Sequence, residues 1–223
     1  LKVMQSLYEQ RKVLTYPRTS SRYLSKDITP QLPNLLQNLK DVGDYGQIAE
    51  QILQKKLNIT KRIVDDSKVT DHHAIIPTDK KANIAELLPD ELKIFDMVIR
   101  RFLSVFMPEC VKDQTEIITI FGTNHFKTIG VVIREQGWRE VYSKDRPDED
   151  EKTKNLEEPE QTLPAVKKDD FVKQKKVELE TKQTKAPPLY NEASILGAME
   201  TAGKAIEDEE LREAMKDCGL GTP

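Results

Sequence analysis

The spacing of apolar residues changes near residue 110, and this change limits the folds that the chain can adopt. Before it, apolar residues recur every three or four positions, as in LPDELKIFDMVIRRFLSVFMP at 88–108, which is typical of amphipathic helices. After it come short runs of β-branched residues separated by Gly or Asn, which is typical of antiparallel strands. The sequence therefore predicts an α+β protein whose helices come first.

The same patterns predict three domains, at 1–110, 111–186 and 187–223. In the first, we expect helices at 1–11, 32–40, 45–57 and 88–108, with a helical turn at 21–25. In the second, we expect strands at 114–121, 126–134, 137–143 and 173–184, and a mobile acidic loop near 144–161. The third domain would begin with a helix at 187–203, capped by Asn191 and ended by Gly203.

Composition limits the function classes. The chain has 223 residues, of which 37% are hydrophobic and 33% charged, and it contains no apolar run long enough to cross a bilayer. The two cysteines, Cys110 and Cys218, form no C-x-x-C pair, which indicates a reducing compartment. A net charge of −3 argues against a generally basic nucleic-acid binder. We therefore expect a soluble, cytoplasmic protein.

The stretch VLTYPRTSSRYL at 13–24 places a tyrosine and an arginine on either side of a proline. Pro17 biases the residue before it toward extended backbone, so Tyr16 and Arg18 should project to the same side. A phenolic oxygen can attack a phosphodiester, and an arginine beside it would stabilise the charge that develops on the phosphoryl oxygens. An ordinary turn with a packed tyrosine and a surface arginine is the alternative.

Hydroxyl and basic residues follow the tyrosine. Residues 19–21 are of the types that begin helices, so we expect a helix to start there and to offer its amide groups to a phosphate. Residues 11–26 also carry five basic residues and no acidic one. This basic segment could position a few phosphates, or it could be an ordinary solvated surface.

A second polar stretch, TDHHAIIPTD at 70–79, contains two of the three histidines. Histidine can transfer a proton near neutral pH or pair with a phosphoryl oxygen. His72, His73, Asp71 and Asp79 could instead form a metal site, although neighbouring residues of a strand face opposite sides. A capping or core role for the histidines also remains open.

Three stretches in this order resemble the motifs of the type IA DNA topoisomerases. LTYPRTSSRYL is similar to the active-site signature of that family, and DHHAIIPT, about fifty residues later, is similar to its histidine motif. PPLYNEASILGAMETAG, followed by GLGTP, resembles the third hallmark. The resemblance covers essentially the whole chain and is strongest to the bacterial topoisomerase III branch.

The resemblance implies that one DNA strand is cut through a 5′-phosphotyrosyl link, another strand passes, and the cut is resealed without ATP. Tyr16 would be the nucleophile, Arg18 would position the scissile phosphate, and His72 would assist there. Further residues of these motifs would contact DNA: Thr19, Ser20, Ser21, Arg22 and His73.

Three positions depart from the family pattern. Ser20 stands where an aspartate is usual, so a charge partnership between that aspartate and the arginine is missing or supplied elsewhere. Asp71 replaces a common alanine, and Asn191 replaces a common threonine or serine. None of these changes touches the nucleophile.

The resemblance also implies a larger architecture. The helical domain would be catabolite-activator-like and carry the active tyrosine, and the antiparallel β domain would link it into the toroid of the type IA enzymes. Mg²⁺ would bind to acidic ligands of an N-terminal Toprim domain that precedes this chain, so we expect no metal site in the chain itself. We expect a central fragment of a monomeric, nucleoid-associated bacterial enzyme. Its partners would be single-stranded or negatively supercoiled DNA and the rest of its own polypeptide, with no membrane.

Two other function classes compete with this interpretation. A tyrosine recombinase or type IB topoisomerase also uses a tyrosine nucleophile, but those families place it after their Arg and His residues, whereas Tyr16 precedes every histidine. A non-catalytic DNA-binding module is the second alternative, since a nucleophile without its metal-binding partner domain could bind DNA without cutting it. A trapped covalent DNA adduct would distinguish binding from catalysis.

Overall fold

The computed structural model describes residues 1–69, 71–145, 162–184, 186–202 and 208–214. The chain divides into two compact units, Leu1–Ala165 and Val166–Pro223. Most of the predicted mobile loop near 144–161 lies outside the described residues, and so does Gly203, the predicted end of a helix.

Helices dominate the first two thirds of the first unit. Its α-helices, among the described residues, are α1 (Lys2–Glu9), α2 (Leu32–Leu39), α3 (Tyr45–Leu53) and α4 (Pro89–Ser104). Short 3₁₀ helices lie at Lys26–Gln31, Asp66–Lys68 and Ile84–Glu86. The predicted helices at 1–11, 32–40, 45–57 and 88–108 are confirmed, each with fewer residues than predicted.

Helix α4 illustrates why these segments are helical. Pro89 occupies its first turn, where a missing amide costs no hydrogen bond, and the Glu91 carboxylate accepts from the free Leu88 amide at 3.0 Å. Its buried apolar residues recur every three or four positions, on one face. That face packs into the core, whose largest fully buried side chains are Phe95, Leu7, Leu14, Leu32, Leu36, Ile99, Leu103 and Val141.

An antiparallel hairpin follows the helices. Strand β1 (Val111–Phe121) pairs with β2 (Asn124–Glu135) from Phe121 opposite Asn124 to Val111 opposite Glu135. Gly122, at φ +60°, lies in the two-residue turn, where the left-handed backbone favours glycine. The predicted strands at 114–121 and 126–134 are confirmed, and the mixture of helices with an antiparallel pair confirms an α+β fold.

The predicted third strand at 137–143 is wrong, because Gly137–Asp145 forms a 3₁₀ helix. Gly137 adopts φ +52°, and a Cβ there would lie 2.4 Å from the Glu109 carbonyl oxygen. The chain therefore reverses at a position that only glycine fits. Val141 is then buried in the core, and its carbonyl accepts from Arg100 Nη1 of α4 at 2.6 Å, so this segment packs on a helix instead of extending the sheet.

The second unit contains helices α5 (Glu192–Glu200) and α6 (Glu209–Ala214). The predicted cap is confirmed, since Asn191 Oδ1 accepts from the Ser194 amide at 2.8 Å. The predicted strand at 173–184 is wrong: this stretch forms no regular secondary structure. Val177 and Leu179 are 63% and 93% exposed. Among the described residues no strand pairs with this segment, so the alternating apolar residues are not buried in a sheet.

Within the described part of the chain, no helix is both long enough and apolar enough to cross a membrane.

Candidate active site

Backbone pairing joins the segment that carries Tyr16 to the histidine stretch. Leu14 and Pro77 form an antiparallel bridge, and the Thr15 amide donates to the Ile76 carbonyl at 2.9 Å. The Thr15 hydroxyl accepts from the Ile76 amide, also at 2.9 Å. Thr15 therefore binds both the backbone amide and the backbone carbonyl of Ile76. These two bonds fix the backbone immediately before the tyrosine.

A second set of hydrogen bonds holds the other end of this segment. Leu24 and Val64 form a parallel bridge, in which the Leu24 amide donates to the Ile63 carbonyl at 2.8 Å. The Ala74 amide donates to the Tyr23 carbonyl, also at 2.8 Å. The tyrosine segment is thus attached at both ends to the residues that surround the histidines.

Tyr16 lies between two other rings and is half-buried. Its ring centroid is 4.4 Å from that of His72, with the planes tilted by 44°, and 5.4 Å from that of Tyr8, with the planes 80° apart. The predicted nucleophile and the predicted assisting histidine are therefore in contact. Sequence patterns gave no reason to place Tyr8 beside them, because it belongs to α1 and its spacing is that of any helical residue.

The hydroxyl residues do not begin a helix, so the predicted helix start at 19–21 and the predicted turn at 21–25 are wrong. Thr19 Oγ1 donates to the His72 carbonyl at 2.8 Å and accepts from the Ser21 amide at 3.1 Å. Ser21 Oγ donates to the Lys68 carbonyl at 2.9 Å. These side chains compete with helical hydrogen bonds, and here they link the tyrosine segment to the backbone of Lys68 and His72 instead. No helix N-terminus is therefore available as a phosphate seat at these residues.

The two neighbouring histidines have different surroundings. His72 is exposed and contacts Tyr16, whereas His73 is half-buried and its Nδ1–H donates to the Ala74 carbonyl at 2.7 Å. The alternative metal site is not formed: no group of three or more His, Cys, Asp or Glu side chains among the described residues could hold a metal ion.

The other predicted DNA contacts are on the surface. Arg18, Ser20 and Arg22 are all exposed. Arg18 follows the bend at Pro17, and its guanidinium makes no hydrogen bond, ion pair or ring contact with another described residue. Its side chain is therefore accessible from solvent.

A buried carboxylate that the sequence did not single out connects α1 to α4. Glu91 is 3% exposed and accepts from Ser6 Oγ at 2.7 Å, Leu88 N at 3.0 Å and Arg11 Nε at 3.1 Å. The Ser6 hydroxyl, followed by the Leu88 amide and Arg11, holds the pKa of Glu91 below its usual value of 4.5. The Arg11 carbonyl in turn accepts from Lys80 Nζ at 2.8 Å. Glu91 thereby fixes the corner that leads from α1 to the tyrosine segment.

Comparisons with known proteins identify the family of the chain. A family model described as DNA topoisomerase matches residues 1–223. The chain is 43% identical over 225 residues to the DNA topoisomerase 3 of Bacillus thuringiensis (strain Al Hakam) and to that of Bacillus anthracis. It is 38% identical over 225 residues to the DNA topoisomerase 3 of Bacillus subtilis (strain 168).

The chain therefore belongs to the DNA topoisomerase family, and its resemblance to the type IA enzymes of the topoisomerase III branch is confirmed. Each of these matches includes 100% of this chain but only 30% of the relative. The chain thus corresponds to less than a third of the length of the curated relatives that it matches.

Proposed function

We propose that this chain is the tyrosine-bearing central part of a type IA DNA topoisomerase that acts on single-stranded or negatively supercoiled DNA. The contact between Tyr16 and His72 is the observation that carries the proposal. Tyr16 and His72 are 56 positions apart and belong to different motifs. Backbone hydrogen bonds between the two segments hold both in place.

The proposed reaction is a transesterification. Tyr16 Oη attacks the phosphorus of one phosphodiester and loses its proton, the bond from phosphorus to the 3′-oxygen breaks, and that oxygen leaves with a proton as a hydroxyl group. The product is a 5′-phosphotyrosyl ester. Because one phosphate ester replaces another, resealing is the same step in reverse and requires no ATP.

His72 and Arg18 are proposed to act at the phosphate. The imidazole of His72 is exposed beside the tyrosine ring, where it could hydrogen-bond a phosphoryl oxygen or carry a proton. The exposed guanidinium of Arg18 could hold two phosphoryl oxygens with its planar fork. Thr19, Ser20, Ser21, Arg22 and His73 would position the surrounding strand, with Thr19 and Ser21 acting through the backbone that they hold.

The remaining parts of the enzyme follow from the family resemblance. The helical domain would have the catabolite-activator-like fold, and the β domain would close a toroid. The resemblance implies that Mg²⁺ would bind to a Toprim domain elsewhere in a longer polypeptide, where acidic side chains would supply its oxygen ligands. We propose that this polypeptide is a monomer that acts on nucleoid DNA in the bacterial cytoplasm.

Trapping the covalent intermediate tests the proposal. A single-stranded oligonucleotide labelled at its 3′ end is incubated with the longer polypeptide that contains this chain, and the products are resolved under denaturing conditions. We expect a labelled protein–DNA adduct, because the downstream fragment stays joined to the tyrosine through its 5′-phosphate. Tyr16→Phe should abolish the adduct and leave single-strand binding largely intact, since only the hydroxyl is removed.

Tyr142→Phe is the matched control. Tyr142 lies in the 3₁₀ helix at Gly137–Asp145, outside the three motifs, and the loss of its hydroxyl should leave adduct formation unchanged. An adduct that persists in Tyr16→Phe would assign the nucleophile to another residue. DNA binding without an adduct in the unsubstituted protein would favour the non-catalytic binding module instead.

A further inference from the structure

An open cleft of about 680 Å³ borders Tyr16, and neither Arg18 nor His72 lines it. Tyr8, Lys12, Asp79 and Lys80 are among its lining residues. The cleft is therefore a separate region beside Tyr16. It does not include Arg18 and His72, which act in the proposed cleavage reaction.

Two aromatic rings form a corner of this cleft. The planes of Tyr8 and Tyr16 are 80° apart, and their centroids are separated by 5.4 Å. Perpendicular rings do not cover each other as a stacked pair would, and Tyr8 remains 38% exposed. A flat ligand can thus stack on one ring while it meets the other, which is how single-stranded nucleic acids bind to aromatic side chains.

The charges of the cleft favour a base over a phosphate. Lys12 and Lys80 are balanced by Glu9 and Asp79, so the lining carries no net positive charge with which to attract a phosphate. Lys80 Nζ is already bound to the Arg11 carbonyl, and the Glu9 carboxylate accepts from Gln5. Lys80 and Glu9 are therefore engaged within the protein. Lys12 and Asp79 are left to bind a ligand.

Lys12 supplies hydrogen-bond donors to the cleft, and Asp79 supplies acceptors. Among the described residues, neither the Lys12 ammonium nor the Asp79 carboxylate has a hydrogen-bond or ion-pair partner. The edge of a nucleobase presents ring and carbonyl acceptors together with amino donors, which match an ammonium and a carboxylate.

The backbone at Lys12 indicates that this lysine is held in place. Lys12 adopts φ +57°, which is uncommon for a residue with a side chain, and its carbonyl accepts from Thr78 Oγ1 at 2.6 Å. Glycine or asparagine would adopt this conformation with less strain. The bond from Thr78 therefore fixes the backbone from which the Lys12 side chain extends into the cleft.

We infer that the cleft binds one nucleobase of the DNA strand, from a nucleotide that adjoins the phosphodiester attacked by Tyr16. The base stacks on Tyr8, and Lys12 and Asp79 contact its edge. This inference rests on the proposed function, because it takes the strand that reaches Tyr16 as the ligand.

The test measures how much a single base contributes to binding. In the longer polypeptide with Tyr16→Phe, which prevents cleavage, we would measure by fluorescence anisotropy the affinity for a series of oligonucleotides. Each contains one abasic site, and the preferred cleavage position is mapped beforehand with the unsubstituted protein. We expect one abasic position beside the scissile phosphodiester to weaken binding about tenfold, the loss typical of one stacked base.

Adding Tyr8→Ala should remove that penalty, because the base would no longer have its stacking partner. Adding Tyr8→Phe keeps the ring and should preserve the penalty, and so should the control Phe126→Ala, which removes a 49% exposed ring of the hairpin. Circular dichroism of each variant establishes that the fold is retained. If Tyr8→Ala lost its fold, Lys12→Ala and Asp79→Asn would replace it, and each should reduce the penalty at the same position.

Two failures are distinguishable. If the unsubstituted protein forms the covalent adduct but the abasic penalty is the same with and without Tyr8→Ala, the cleft does not bind a base, while the proposed function stands. The absence of any adduct would contradict the proposed function itself.

Discussion

The ring of Tyr16 lies 4.4 Å from that of His72, centroid to centroid, with the two planes tilted by 44°. The contact depends on hydrogen bonds made by neighbouring residues. Thr15 pairs with Ile76 through its amide and its hydroxyl, and Thr19 donates to the carbonyl of His72 itself. The backbones on both sides of the rings are thus fixed by contacts within the chain.

Arg18→Lys should reduce the rate of adduct formation about tenfold or more, equivalent to about 1.4 kcal/mol of transition-state stabilisation. The charge is conserved, but an ammonium cannot hold two phosphoryl oxygens as a planar guanidinium does. The time course of adduct formation in the longer polypeptide measures the effect. Arg62→Lys is the control, since Arg62 is 84% exposed and pairs only at the surface, with Glu109. A near-normal rate of cleavage by Arg18→Lys would show that Arg18 contributes only its positive charge, and does not hold two phosphoryl oxygens.

His72→Ala should slow cleavage more than His73→Ala does, by about tenfold to a hundredfold. The reason is geometric: His72 contacts the tyrosine, whereas the half-buried His73 donates to the Ala74 carbonyl. Single-turnover cleavage rates of the two variants provide the comparison, with His125→Ala in the hairpin as a control for loss of an exposed histidine. The opposite order would assign the assisting role to His73.

Glu91→Gln should lower the free energy of unfolding of this chain by about 1–3 kcal/mol at pH 7, because a buried acceptor of three hydrogen bonds loses its charge. Folding lowers the pKa of Glu91, so its contribution is complete well above the usual value of 4.5 and is lost as the pH falls through the lower folded-state pKa. Urea unfolding at pH 7 and at acidic pH measures the difference, which should shrink in acid.

Asp90→Asn is the matched control for that substitution. Asp90 lies in the same helical turn, but its side chain is 75% exposed and pairs with Lys93 at 3.4 Å. A surface pair of this kind contributes about 0–1 kcal/mol. Equal losses in the two variants would contradict the role given to Glu91.

The chain alone should not relax negatively supercoiled plasmid DNA, with or without Mg²⁺. Relaxation requires a nucleophile, stabilisation of the leaving 3′-oxygen and a gate that holds both broken ends. The resemblance assigns the metal and one side of the gate to a Toprim domain, and this chain spans only 30% of its relatives. Topoisomers resolved on an agarose gel give the answer. A ladder of relaxed species that disappears with Tyr16→Phe would show that the chain is complete for catalysis.

Much of the secondary structure could be predicted because it depends on local patterns. The apolar period of α4, the β-branched runs of the hairpin and the cap at Asn191 each follow from neighbouring residues, and all three predictions are confirmed. The wrong predictions concern segments with a suitable local pattern but different tertiary partners. Residues 137–143 pack on α4, and the Thr19 hydroxyl near Tyr16 donates to the His72 carbonyl.

The sequence by itself determined the motifs, their order and the family that they indicate, because these depend on which residues occur and how far apart they are. The tertiary structure decided which of two adjacent histidines contacts Tyr16, that Tyr8 completes the cluster of rings, and that a buried glutamate fixes the corner before it. These are contacts between residues far apart in the chain. They depend on the packing of helices and extended segments around one core, which no local pattern specifies.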